Sequence, residues 1–153
     1  GELRPQLLDR FGLSVEVRTP EDLPSRIEVV KRRDAYEQDR DGFLARWAAA
    51  DAKVAKAIVA ARRRLEAVEV PDEALQLAAR LAIAVGVDGL RGELTMMRSA
   101  RALAALDKRA RVTAADVRAV APMALRHRLR RNPLDETGST ARIERALAQL
   151  DAA

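Results

Sequence analysis

The chain has 153 residues, a net charge of +5, a single histidine and no cysteine. The length suits one ordinary domain or two small ones. The missing cysteines exclude disulfides and thiolate metal sites and fit a reducing cytosol, a His-based metal site would need several carboxylates to help, and no apolar run nears the roughly 20 residues of a membrane span.

Ala and Leu dominate the apolar residues, and aromatic residues make up only 3%. That balance favours helices over a large sheet. Pro5 suits the first turn of a short helix with Leu7, Leu8 and Phe11 on one stripe, and Gly12 ends it. In LSVEV, residues 13–17, apolar and polar residues alternate as in a half-buried strand. A lone strand leaves both edges unpaired, so its partners are expected outside this sequence, in a longer protein of which the chain is the C-terminal piece. Thr19-Pro20-Glu21-Asp22 reads as a helix start, with Thr19 or Asp22 as cap, and the helix is expected to reach Gln38. After a break at 39–42, Phe43, Trp47, Ala50, Val54, Ile58, Ala61, Leu65 and Val68 recur at helical spacing. Phe43 and Trp47 are expected as a core pair.

Pro71 and Asp72 open the next helix, with Leu75, Ala78, Leu81, Ala82 and Val85 facing inward and Gly86 as its stop. Asp88 is expected to cap a helix carrying Leu90, Leu94, Met97 and Leu103. Thr113 and Asp116 form a capping box for the one after, which Pro122 should kink or split. Ser139 or Thr140 starts a last helix with Ile143, Leu147 and Leu150. Residues 70–150 thus make a bundle of about four short helices.

Two arginines stand out. Arg10 follows Asp9 where the first helix stops, a favourable place for any cation. Arg91 sits in the first turn of a helix, where a cation has the wrong sign for the dipole. It is flanked by Gly89 and Gly92, and Thr95 and Arg98 share its face. An arriving anion would explain that placement, and so would pairing with Glu93 or Asp88. Residues 98–131 carry ten basic residues against Asp107 and Asp116, a stripe that suits polyanions. The run Arg62–Arg64 reads as a solvated face, Arg126–Arg131 as a solvated face or a contact for a partner subunit or nucleic acid, and His127 as solvent-facing.

PQLLDRFG, the strand, the long helix, GLRGELTMMRSARALAAL, VTAADV and LRHRLRRNPLDETGS together resemble the ATPase subunits of magnesium chelatases, a family of AAA+ ATPases. The resemblance covers nearly the whole chain and is weakest at 37–68. It implies a mainly α fold: the C-terminal edge of an AAA+ α/β core with one short strand, followed by a helical-bundle lid. The implied divisions are 1–36 for the core piece, 37–69 for a linking helix and 70–153 for the lid. Arg10 resembles the arginine finger that enters a neighbouring subunit's nucleotide site, and Asp9 would orient it or bond across the interface. Arg91 resembles the sensor-2 arginine, which reaches the nucleotide of its own subunit. Arg4 is a weaker interface candidate. The implied cofactors are ATP and Mg²⁺ in the parent protein.

The implied partners are identical subunits in a ring such as a hexamer, a sister AAA+ subunit and a porphyrin-binding subunit, in the cytoplasm and without a membrane. No G-x-x-x-x-G-K-[ST] loop or acidic Walker B stretch occurs. The chain alone is therefore expected neither to bind ATP tightly nor to hydrolyse it, and to bind no metal. A cobalt chelatase of cobalamin synthesis uses similar subunits, and a regulatory sister subunit would share the lid. The contrasting class is a basic helical module for nucleic acid, against which the scarcity of stacking aromatics argues. A pure protein-interaction bundle leaves LSVEV and Arg91 unexplained.

Overall fold

The structure is a computed structural model and describes residues 5–129 and 138–151. The chain forms two compact units, one of residues 16–60 and one of residues up to 15 together with those from 61 onward.

In the first unit, helix α2, Leu23–Gln38, starts where Asp22 accepts a hydrogen bond from the Ser25 amide at 2.8 Å, with Pro24 in the first turn. Asp39 then serves two helices. Its N–H caps the end of α2 by donating to the Ala35 carbonyl, and its carboxylate accepts from the Gly42 amide at the start of α3, Arg40–Arg64. The expected four-residue break is therefore one residue long. Among the described residues none on α2 is buried, and on α3 only Ala61 is. Phe43 and Trp47 are half-buried rather than core: Phe43 packs edge-on against Tyr36, and the Arg32 guanidinium lies over the Trp47 ring at 4.7 Å. Four aromatic or cationic groups stack here, at the surface of the two helices.

LSVEV does not form a strand. Residues 13–21 lack regular structure, and Val15 and Val17 are 62% and 89% exposed. Alternation specifies a strand only when a neighbouring strand supplies the ladder, and none of the described residues does so. Their one β-bridge is elsewhere, between Glu69 and Arg111.

The second unit begins with the short helix α1, Pro5–Leu8. After α3 and a 3₁₀ turn at Leu65–Ala67, it continues with α4, Asp72–Val85; α5, Arg91–Leu106; α6, Ala114–Leu125; and α7, Ser139–Asp151. These last four helices pack around Leu81, Met96, Val117, Leu125 and Ile143. Among the described residues ten of the twenty buried apolar ones are alanine, so the helices approach through methyl groups and the backbone. This corrects the face expected for α5. Leu90 and Leu94 are exposed, Met97 and Leu103 only half-buried, and the buried stripe is Gly92, Met96, Ala100 and Ala104. Ranking by bulk favours the leucines, whereas close helix approach selects the small residues. Leu75 of α4 is likewise exposed, with Ala74 buried in its place.

Gly86 closes α4 in the left-handed region at φ 72°, as its position after the apolar stripe predicts. Asp88 does not cap α5, because Gly89, also left-handed at φ 73°, turns the chain and leaves Leu90 at the cap position. Pro122 does not split α6, which runs unbroken through it. The proline forfeits one helical hydrogen bond, and burial of Val120, Ala121, Ala124 and Leu125 holds the turn together.

Asp116, 4% exposed, is a buried charge of this core. It accepts from the Thr113 amide and hydroxyl and takes both arms of Arg109 at 2.6 Å. Those bonds, Arg109's first, hold its carboxyl at about 2, below the ordinary 3.8. The resulting stability is fully present above pH 4 and is lost as pH falls toward 2. Asp116→Asn should cost about 2 kcal/mol at pH 7. In thermal melts of both proteins the difference should shrink between pH 4 and 2; a gap independent of pH would refute this origin.

Candidate functional site

α1 stops at Leu8 because the chain turns there: the Arg10 and Phe11 amides bond to the Leu7 and Leu8 carbonyls at 3.0 and 3.1 Å. Residues 9–14 then cross the C-terminal end of α6. A helix end leaves its last four carbonyls without intrahelical partners, and here every one is accounted for. Pro122 O accepts from Arg126, Met123 O from the Ser14 amide at 2.8 Å, Ala124 O from the Arg128 side chain, and Leu125 O from the Arg128 amide. One of the four caps is thus supplied by the segment that follows Arg10.

Arg128 fills the angle between that segment and the helix end, with its side chain only 4% exposed. Its guanidinium donates to the carbonyls of Phe11 at 2.8 Å, Gly12 at 3.0 Å and Asp9 at 3.3 Å, and its Nε lies 3.4 Å from the Asp9 carboxylate. A buried cation needs such partners, and the negative end of α6 adds to them. His127 stands beside it, with Nε2 2.9 Å from Phe11 O and 2.7 Å from Arg128 Nη1. One ring nitrogen serves one of these at a time: protonated it donates to Phe11, bare it accepts from Arg128. Burial, chiefly, pushes the imidazole below its ordinary 6.5, so the ring is neutral at pH 7. His127 is therefore not the solvent-facing residue its neighbours suggested, and the run from Arg126 is not simply a solvated face.

Arg91 is the first residue of α5, and its Nη1 meets Asp9 Oδ2 at 2.6 Å. Neither Glu93 nor Asp88 makes this bond; the counter-charge comes from the other end of the sequence. Asp9 is thus shared by two cations, Arg91 and Arg128. The Arg91–Asp9 pair is exposed on both sides, 59% and 40%, and so is worth no more than about 0.2–1 kcal/mol. Gly92 lets α5 approach α6 at this point: a Cβ there would lie 3.0 Å from Leu125 and 3.2 Å from Val87.

Arg10 is exposed, and its guanidinium has no partner among the described residues. The structure therefore brings Asp9, Arg10 and Arg91 to one end of one unit, ties down the first and third, and leaves the second unengaged. Arg4 lies outside the described residues, as do Arg130 and Arg131 of the basic run. Sequence reasoning missed Arg128 and His127. The signal for them was their position directly after the apolar end of a helix, where cations cap carbonyls.

Other basic residues are occupied within the fold. Arg64 donates to Ala105 O, Arg109 to Asp116 and Asp107, and Arg111 lies near Glu73 and Glu69. The stripe at 98–131 is consequently less available to a polyanion than its composition implies. Among the described residues no three His, Asp or Glu side chains group to hold a metal, and no helix is long and apolar enough to cross a membrane.

Residues 75–150 match the AAA lid domain family. The chain is 61% identical over 150 residues to the magnesium-chelatase 38 kDa subunit of Acidiphilium rubrum, and 54% identical over 150 residues to that of Cereibacter sphaeroides. Each alignment covers 98% of this chain but only 44% and 45% of the relative, so the chain spans less than half the length of these proteins. A solved protein from Cytophaga hutchinsonii, provisionally described as an ATPase, superposes with a TM-score of 0.70 at 19% identity, covering 97% of this chain and 48% of that one. That likeness establishes the fold.

Proposed function

Because the chain carries the lid domain of the AAA ATPases and is homologous along nearly its whole length to magnesium-chelatase 38 kDa subunits, we propose that it is part of an ATP-hydrolysing ring motor that drives Mg²⁺ insertion into a porphyrin. The partners in this reading are identical subunits, a sister AAA+ subunit and a porphyrin-binding subunit. The observation that carries it is the state of the two arginines at one end of the bundle. Arg10 is exposed and has no partner among the described residues, as suits a group acting on another subunit. Among the described residues Arg91 is held only by an exposed ion pair that an arriving phosphate can replace.

The residues present fit phosphate oxygens rather than a metal. Arg10 would reach the γ-phosphate across a subunit boundary, and Arg91 would contact the phosphates from the lid. Both stabilise charge that develops as the phosphoryl group transfers. The bound Mg²⁺ would neutralise charge on the phosphates, and its ligands would come from Walker segments that this chain lacks. The 153 residues alone should accordingly be inactive.

The Asp9 bridge favours an arrangement other than the one inferred from the family. An arginine serving its own subunit's nucleotide belongs on the opposite flank from one reaching across to a neighbour. Here Arg91 is tied to the residue next to Arg10. That supports both guanidinium groups addressing the same nucleotide, the neighbour's.

Mg²⁺ rather than Co²⁺ as the inserted ion rests on the named relatives. The test is reconstitution of the full-length parent with its partner subunits, ATP, porphyrin and either ion. ATP-dependent insertion of Mg²⁺ alone is expected; insertion of Co²⁺ alone would move the protein to the cobalt pathway, and no ATP hydrolysis would end the motor reading.

A further inference from the structure

We infer that Arg128 is a positioning residue for the segment bearing Arg10: its buried guanidinium fixes residues 9–12 to the end of α6, so that the lid and the finger move as one body. The inference rests on the finger reading of Arg10 proposed above.

The geometry is that of a clamp rather than a surface contact. Arg128 takes three carbonyls of the segment, those of Asp9, Phe11 and Gly12, and one carbonyl of the helix end, Ala124. The planar fork of an arginine can serve several acceptors at fixed angles, which a lysine cannot. The acceptors are backbone atoms on both sides of Arg10, so the clamp fixes the path of the chain and leaves the Arg10 side chain unengaged. Asp9 closes the arrangement, lying between Arg128 and Arg91. His127 adds a second contact to Phe11. The Ser14 amide on Met123 anchors the far end of the segment. The Arg128 side chain is 4% exposed, and a purely structural cap of α6 would not need contacts to residues 9, 11 and 12.

The test uses the full-length parent and Arg128→Lys, which keeps the charge and loses the fork. A displacement of about 1 Å at a reacting group costs up to about 10²-fold. Turnover should therefore fall about 10–100-fold with the KM for ATP nearly unchanged, and ADP with aluminium fluoride should no longer be trapped although ADP still binds. Amide hydrogen exchange is measured on the same variant. Faster exchange confined to residues 9–14, with α4–α7 still protected, is the expected result. Wild-type turnover with Arg128→Lys, or exchange that rises across α4–α7 as a whole, overturns the inference. If Arg10→Ala itself leaves turnover intact, the finger reading falls; if Arg10→Ala is inactive and Arg128→Lys is normal, only the clamp falls.

Discussion

Arg10→Ala in the full-length parent should lower ATP turnover by about 10³–10⁵-fold while nucleotide affinity and ring assembly remain near normal. The expectation follows from where the residue stands. Its neighbours on both sides are held by Arg128, yet its own guanidinium has no partner among the described residues. Removing it therefore leaves no buried charge unpaired and no cavity, and should change the melting temperature little. A finger acts only as charge develops in the transition state, so the loss should fall on kcat and not on binding. Steady-state hydrolysis together with equilibrium binding of a non-hydrolysable nucleotide separates the two. A variant that turns over normally would remove Arg10 from catalysis.

The second expectation concerns mixtures. Arg91→Ala alone should cost about 10–10²-fold, the scale of a charge-assisted contact to phosphate. Now combine Arg10→Ala subunits with Arg91→Ala subunits in one ring. If Arg91 served its own subunit's nucleotide, a site on an Arg10→Ala subunit facing an Arg91→Ala neighbour would have both arginines, and about a quarter of sites in an equimolar random ring would recover. If both arginines cross the same boundary, every site lacks one of them and nothing recovers. The Asp9 bridge predicts no recovery. Substantial activity in the mixture, with wild-type subunits shown to exchange under the same conditions, would return Arg91 to its own subunit.

Much of this fold is legible in the residues, and the failures have physical causes. Helix ends set by local chemistry were readable: Asp22 with Pro24, Gly86, and Thr113 with Asp116 all act within four residues of sequence. The buried face of α5 was not, because helices in contact through alanine and glycine invert the rule that bulk marks the interior. LSVEV failed as a strand because pairing is a property of two segments, and none of the described residues supplies the second. For the candidate site, Asp9, Arg10 and Arg91 were marked by their motifs and by the dipole anomaly at Arg91. That Asp9 resolves the anomaly was hidden, since 82 residues separate the pair. Arg128 was hidden for the opposite reason: it stands among other arginines, and composition cannot distinguish one that folds inward.

The contact of Gly92 against Leu125 gives the lid a mechanical property. Long side chains at a helix crossing would swing to new rotamers under load and dissipate the motion. A backbone seated directly on a leucine, in a core half made of methyl groups, has almost no such slack. Force applied to the head of α5 by a phosphate at Arg91 would arrive at the tail of α6 as translation, like a push through a stiff rod.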